Sequence, residues 1–248
     1  MPPEVSVIIP FHNEGENAGP LLAELQEVMR QLGKTHEVLL VDDASTDRTF
    51  DVLSDVAARW PECRILRFEH NRGQAAALYF GMQNASAPIL VTLDGDGQNV
   101  PSDVPRLLAR LAEADMVAGL RVNRDDSFVR LAASRLANIV RARVLRDGMR
   151  DTGCGLKVFR REVAAELLPI ATLYSFMPAL AVAAGFRVVQ EPVQHRARRR
   201  GRSSYGLRAF LWRPALDMLG IWWFRQRRFP SVETLAATSV VTPRRTET

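Results

Sequence analysis

Four short apolar runs recur in the first hundred residues, and each stops at a polar cluster: Val5 to Pro10, Glu37 to Val41, Arg64 to Phe68 and Ile89 to Leu93. Between them the apolar residues follow helical spacing. Leu21, Leu22, Leu25, Val28, Met29 and Leu32 line one stretch, which Gly33 ends. Val52, Leu53, Val56 and Trp60 line the next, with Ser45 or Thr46 as its expected cap, and Gly73 to Gln83 forms a small-residue helix. Leu107, Leu108 and Leu111 mark a further helix, and Met116 to Ala118 a fifth strand. Alternation of this kind predicts an α/β, Rossmann-like, mostly parallel sheet with helices on both faces. Ligands in such sheets sit beyond the carboxyl ends of the strands. The polar clusters fall there: His12-Asn13-Glu14, Asp42-Asp43, Asn71-Arg72-Gly73 and Asp94-Gly95-Asp96.

The last of these clusters is the most informative. Asp94 and Asp96 follow a buried strand, with the amide of Gln98 two residues on and glycines between them. Side chains alternate along a strand, so these three converge only if the chain turns off it, which Gly95 and Gly97 permit. The result is a compact set of hard oxygen ligands, suited to Mg²⁺ or Mn²⁺ held jointly with substrate phosphates. An acidic turn would read the same way, since Asp and Gly dominate turns. Asp42 and Asp43 can serve as capping groups, as can Ser45, Thr46 and Asp47. A carboxylate at a sheet edge can equally accept hydrogen bonds from a base or a ribose, and Glu14 is in the same position.

Beyond Gly119 the alternation loosens. Phe128 to Leu145 reads as an amphipathic helix, Asp151 to Gly155 as a loop, Leu156 to Phe159 and Phe186 to Val189 as short strands. The net charge of +5 is uneven, with Arg198, Arg199, Arg200 and Arg202 in one segment beside Ser203 and Tyr205. Guanidinium groups grip phosphate in a bidentate fork, so this segment is a candidate phosphate clamp. A solvated basic loop is the plain alternative. His12, His36, His70 and His195 lack paired zinc spacing, and of these His195 is expected to approach the site. There is no Walker loop, no Gly-x-Gly-x-x-Gly after the first strand and no Gly-x-Ser-x-Gly elbow, which weighs against ATP hydrolysis, NAD chemistry and ester hydrolysis. The aromatic platform of single-strand binders is missing, so no nucleic-acid partner is expected.

Two cysteines without metal or disulfide spacing fit a reducing compartment. Met1 to Glu4 leads straight into a strand, so no secretory signal is expected. No apolar run reaches the roughly 18 residues of a membrane span. Leu207 to Phe224 is apolar but carries Arg208, Arg213 and Asp217, and Arg225, Arg227 and Arg228 follow. Burying such charges costs about 2.5–3.5 kcal/mol each near the bilayer centre. An interfacial helix avoids that, and tryptophans beside arginines suit a headgroup layer. Packing against the catalytic domain or a dimer partner is the competing reading. The expected layout is a catalytic domain over 1–205, an amphipathic C-terminal helix over 206–229 and a disordered tail over 230–248.

The ordered set Val5 to Pro10 with Asn13-Glu14, Val41 to Asp47, Asn71 to Gly81 and Asp94 to Gln98 resembles the family 2 glycosyltransferases of GT-A fold. Within them it is most similar to the dolichol-phosphate mannosyltransferase and bacterial polyprenyl-phosphate glycosyltransferase branch, which Asp151 to Lys157 and Arg198 to Tyr205 also resemble. The resemblance spans roughly residues 4 to 228. It implies a nucleotide-diphosphate sugar donor, UDP- or GDP-linked, whose diphosphate is bound through a metal on Asp94, Asp96 and Gln98. Pro10, Glu14, Asp42 and Asp43 would line the base and ribose pocket. Arg121 would bind the acceptor phosphate, assisted by Arg130 or Arg135, and Arg198, Arg202 and Ser203 would close over the phosphates. A polyprenyl phosphate acceptor is already anionic near neutral pH, its second pKa being about 6, and needs orienting more than deprotonating. Asp151 becomes a candidate base only for a hydroxyl acceptor. The expectation is therefore an inverting, metal-dependent enzyme, peripheral at the cytoplasmic face of a membrane. Its rivals are the same donor chemistry with a hydroxyl acceptor and a nucleotide-sugar-binding module without turnover. In place of the branch's Met-His-Arg-like stretch stands Leu173-Tyr174-Ser175-Phe176, and Ser204 stands where a lysine is common.

Overall fold

A computed structural model describes residues 1–122, 139–196 and 207–227, with side chains of the last helix from 216 onward. Seven strands form one sheet: β1 (Val5–Phe11), β2 (His36–Asp42), β3 (Cys63–Arg67), β4 (Ile89–Thr92), β5 (Met116–Arg121), β6 (Lys157–Arg160) and β7 (Val188–Val193). Their order is β3-β2-β1-β4-β6-β5-β7. All pairs are parallel except the two that β6 makes, with β4 and with β5. Helices α1 (Gly15–Leu32), α2 (Thr49–Ala57), α3 (Gln74–Asn84) and α4 (Val104–Arg110) connect the first strands. Helices α5 (Arg161–Ala165), α6 (Leu173–Ala183) and α7 (Leu207–Arg227) follow.

Alternation along the central strands sorts the core into two layers, as a sheet covered on both faces requires. Val5, Val7, Ile9 and Phe11 of β1 pack with Leu21, Leu22 and Leu25 of α1. Ile8 faces the opposite way, with Ala77 and Leu78 of α3 and Phe176 and Leu180 of α6. Gly81 lets α3 lie close: a Cβ there would stand 2.4 Å from Ile8 Cγ2.

Strand order reverses across β1, since β1 runs to β2 and β3 on one side while β4 lies on the other. The crevice between the carboxyl ends of β1 and β4 is thus the switch point where doubly wound sheets bind ligands. Arg121, ending β5, and Lys157, opening the antiparallel β6, fall on the same edge. The last strand begins two residues later than expected and runs through Pro192. Gly185, at φ 92°, and a bond from Phe186 N to Ala181 O hold the preceding residues in the close of α6. Proline is tolerated because β7 is an edge strand.

The start of α2 also departs from expectation. Its N-cap is Arg48, and Asp47, not Ser45 or Thr46, accepts the Thr49 N–H, at 2.9 Å. Ser45 Oγ instead accepts the Asn13 N–H at 3.0 Å, and Asn13 Oδ1 accepts the Thr46 N–H at 2.8 Å. The turns after β1 and β2 therefore bind each other. Of the helix expected over 128–145, residues 139–145 are helical and 123–138 lie outside the described residues, as do 228–248 with the expected tail. Helix α7 packs on α6: Thr172 donates its N–H and hydroxyl to Asp217, at 3.2 and 2.6 Å, and Ile221 is buried among the α6 residues.

Candidate active site at the switch point

Asp94 follows β4 and is fixed on several sides. Its N–H donates to Asn99 Oδ1 at 2.9 Å, and Gln74 Nε2 donates to its carboxylate at 2.6 Å. Gly95 presses onto the end of β1, for a Cβ there would stand 2.6 Å from the carbonyl oxygen of Pro10. Asp96 accepts the Gln98 N–H at 3.1 Å, closing the turn with Gly97 at φ 73°. Burial and then the Asp96 charge push the Asp94 carboxyl up to about 6, against the opposing pull of Lys157, Arg121 and the Gln74 hydrogen bond. Two carboxylates held at each other's expense are chemistry that a divalent cation relieves.

Gln98 does a second job. Its Nε2 donates to the carbonyl of Arg196 at 3.2 Å and its own carbonyl accepts the Arg196 N–H at 3.0 Å, while Asn99 bridges to His195. Arg196 is further tied to Glu24 of α1 by two bonds of 2.7 and 2.9 Å. The carboxylate turn is thus joined to the residues that lead into the basic segment. His195 does approach the site, through its backbone bridge to Asn99.

Across the crevice Arg121 and Asp151 form a bidentate pair, Nε at 2.7 Å and Nη2 at 2.9 Å from the two carboxylate oxygens. Burial opposes the Asp151 charge, but the Arg121 hydrogen bonds and charge, with N–H groups of Arg121 and Gly153, outweigh it and hold the carboxyl below its usual range. A second buried pair, Arg141 with Asp147 at 3.2 Å, stands behind it, and Arg141 also donates to the Met149 carbonyl.

On the other side of β1, Asp42 and Asp43 are buried and already hold the backbone. Asp42 accepts the Ser45 N–H at 3.1 Å and faces Arg67 Nε at 3.0 Å. Asp43 accepts the N–H groups of Arg72 and Gly73 at 2.6 and 2.8 Å, which anchors the loop before α3. Glu14 opens α1, where it accepts Asn17 Nδ2 at 2.6 Å and its N–H meets Thr49 Oγ1 at 2.8 Å.

The sequence-predicted residues therefore form two groups flanking β1: Asp94, Asp96, Gln98, Arg121 and Asp151 on one side, Asp42, Asp43 and Glu14 on the other, with Pro10 between. Arg130, Arg135, Arg198, Arg202 and Ser203 lie outside the described residues. Sequence reasoning gave no role to Gln74, Asn99, Arg67 or Lys157. Only Lys157 announced itself, as a charge inside the apolar run Leu156 to Phe159.

Residues 6–168 match the glycosyl transferase family 2 profile. The chain belongs to glycosyl transferase family 2. It is 38% identical over 205 residues to the undecaprenyl-phosphate 4-deoxy-4-formamido-L-arabinose transferase of Enterobacter sp. (strain 638), covering 82% of this chain and 62% of the relative. It is 36% identical over 206 residues to the Edwardsiella ictaluri enzyme of the same name, covering 82% and 63%. The chain thus spans a little under two thirds of the length of the curated relatives it matches. Among solved structures, a mannosyltransferase from Pyrobaculum calidifontis in complex with GDP-Man and Mn²⁺ superposes with a TM-score of 0.63 at 21% identity, over 92% of this chain and 66% of that one. Glucosyl-3-phosphoglycerate synthase from Mycobacterium tuberculosis, with Mn²⁺, UDP and glucosyl-3-phosphoglycerate, superposes with a TM-score of 0.65 at 18% identity, over 92% and 82%. The expected GT-A architecture is the one observed.

Proposed function

We propose that this protein is a metal-dependent, inverting glycosyltransferase that moves a sugar from a nucleoside-diphosphate donor to a polyprenyl phosphate of the undecaprenyl type. The observation that carries the reading is the Asp94–Asp96 turn at the switch point, facing an arginine locked by Asp151. The named activity of the relatives supports the acceptor, and the Mn²⁺ and nucleotide in two fold neighbours support the donor.

The donor set fits Mg²⁺ or Mn²⁺: Asp94, Asp96 and the amide oxygen of Gln98 are hard ligands. When bound, the ion supplies Lewis-acid stabilisation of the departing diphosphate. The chain supplies the rest. Pro10, Glu14, Asp42 and Asp43 border the base and ribose pocket, with Asp43 acting through the Arg72–Gly73 backbone it holds. Arg121 attracts and orients the acceptor phosphate, and Asp151 holds the guanidinium in place. An anionic oxygen attacking the anomeric carbon in line needs no base, which agrees with an Asp151 carboxylate whose two oxygens both accept from Arg121. Arg130, Arg135, Arg198, Arg202 and Ser203 complete the phosphate contacts in this proposal.

The exposed side of α7 supports a peripheral membrane position. Leu216, Leu219, Trp222 and Trp223 are 63, 56, 44 and 54% exposed and share one face, whereas Ile221 on the opposite face is buried. Arg227 sits over the Trp223 ring at 5.1 Å, and Arg225 donates to the Leu145 carbonyl. Large apolar groups left facing outward mark an interaction surface, and aromatic residues beside arginines suit anionic headgroups. Among the described residues no helix is long and apolar enough to cross a membrane.

The test is transfer from a panel of radiolabelled UDP- and GDP-sugars to a short polyprenyl phosphate with Mn²⁺ or Mg²⁺. A lipid-soluble product that vanishes with EDTA and in Asp96→Asn is expected and would identify the sugar. Metal-dependent nucleotide binding without product from any donor would favour the binding-module reading.

A further inference from the structure

Lys157 is one of the largest fully buried side chains, at 2% exposure, and the mechanism above does not use it. It opens β6 on the ligand-binding edge, opposite Thr92 of β4 and Ala118 of β5. Its ammonium donates to the carbonyl of Cys154. One residue on, the Thr92 hydroxyl donates to the carbonyl of Gly155 at 2.7 Å. The turn over Cys154 and Gly155 is therefore gripped at two successive carbonyls from two strands. That turn lies directly on Asp94, since a Cβ on Gly155 would stand 2.2 Å from Asp94 Cγ. The same ammonium interacts electrostatically with Asp94 and Asp151, both on the same side of β1.

A buried lysine is costly to keep unless its charge and donors are used. Here the surroundings give it two uses: the carbonyl it grips and the carboxylates it faces. We propose that Lys157 is a positioning residue for the carboxylate pair, clamping the Cys154–Gly155 turn across Asp94 so that this carboxylate stays aimed at a divalent cation. The proposal rests on the metal-site reading above. Partners of this kind behind a metal ligand are worth about 10–100-fold in metal affinity.

The sign of the effect separates positioning from simple charge. Removing a cation beside a cation site tightens metal binding by Coulomb's law; removing a clamp weakens it. The experiment measures Mn²⁺ binding to the full chain with UDP or GDP present, by electron paramagnetic resonance of the unbound ion against a protein-free control, with folding followed by circular dichroism. Lys157→Met is expected to fold and to bind Mn²⁺ about tenfold or more weakly. Lys157→Gln, which restores a donor to the Cys154 carbonyl without the charge, is expected to recover most of that loss. Thr92→Val, which releases the turn on its other side, is expected to weaken binding in the same direction. A folded Lys157→Met with unchanged or tighter Mn²⁺ binding would overturn the proposal. So would wild-type affinity in Thr92→Val, which decides the matter if Lys157→Met does not fold. A wild-type protein to which neither UDP nor GDP brings Mn²⁺ would overturn the metal-site reading instead.

Discussion

Arg121 and Asp151 meet as a fork on a fork, with side chains only 15% and 7% exposed and both carboxylate oxygens engaged. The pair joins the end of β5 to the loop before β6, and the Arg121 charge is felt at Asp94. Its geometry ties the two side chains together: both Asp151 carboxylate oxygens accept from Arg121, so neither side chain can turn without breaking the pair.

Replacing Asp151 by Asn should therefore damage stability and acceptor use together. Breaking a buried ion pair on one side costs about 3–5 kcal/mol. Because the folded Asp151 carboxyl lies below its unfolded value, its contribution is present above pH ~4 and is lost as pH falls through the lower folded value. Denaturant titrations across acid pH should show that slope in the wild type and a shallower one in Asp151→Asn. In transfer assays the variant should raise the acceptor KM and leave the shape of the pH–rate profile unchanged. A lost acid-side limb instead would mark Asp151 as a general base and favour a hydroxyl acceptor.

Metal binding should stabilise the protein in a pH-dependent way. The Asp94 carboxyl is raised to about 6 by burial and by Asp96, above an unfolded value of about 3.9. A raised acid destabilises the metal-free fold progressively as pH climbs from the unfolded value through the folded one. A bound cation removes that penalty and competes with the proton below it. The rise in Tm on adding Mn²⁺ should be larger near pH ~7.5 than near pH ~5. Equal shifts at both would place the ion elsewhere.

Gly155→Ala should abolish metal-dependent activity without unfolding the protein. Its Cβ would lie 2.2 Å from Asp94 Cγ and within 2.4 Å of both carboxylate oxygens, so the carboxylate must move. Overpacking of this kind costs about 1–3 kcal/mol, which a chain of this size tolerates. Thermal melting and Mn²⁺ titration of the same preparation would separate the two effects. Retained Mn²⁺ affinity would show that Asp94 can hold the ion from another rotamer.

The outward face of α7 can be tested with vesicles. Trp222→Ala with Trp223→Ala should reduce cosedimentation with anionic vesicles about tenfold or more, given about 1.5–3 kcal/mol for each large apolar side chain buried. The Thr172–Asp217 tether lies on the other side of the helix, so the melting temperature should hardly change. Vesicle binding unaffected by both substitutions would assign this face to another protein surface.

Much of this site was legible because a parallel sheet leaves its polar residues at one edge. The apolar runs ending at Pro10, Val41 and Leu93 placed Asp42, Asp43, Asp94 and Asp96 on that edge. What the sequence hid were partners brought in from distant segments. Arg67 reaches Asp42 and Gln74 reaches Asp94 through pairing that no local spacing encodes. The Asp151–Arg121 pair depended on β6 inserting antiparallel between β4 and β5, which a four-residue strand does not reveal. The capping of α2 was misread because Ser45 and Thr46 bind Asn13, a contact 32 or 33 residues away. In α7 the periodic pattern was sound, yet which face turned inward was fixed by Asp217 and Ile221 docking on α6.

The central claim is an enzyme that transfers a donor's sugar to a phosphate acceptor. It is tested most directly by offering the same donor and metal with a polyprenyl phosphate and, in parallel, the matching polyprenol. The account predicts a metal-dependent, acid-labile sugar–phospholipid from the phosphate, lost in Asp96→Asn, and none from the alcohol. Equal transfer to the alcohol, or product formed undiminished in EDTA, would contradict it.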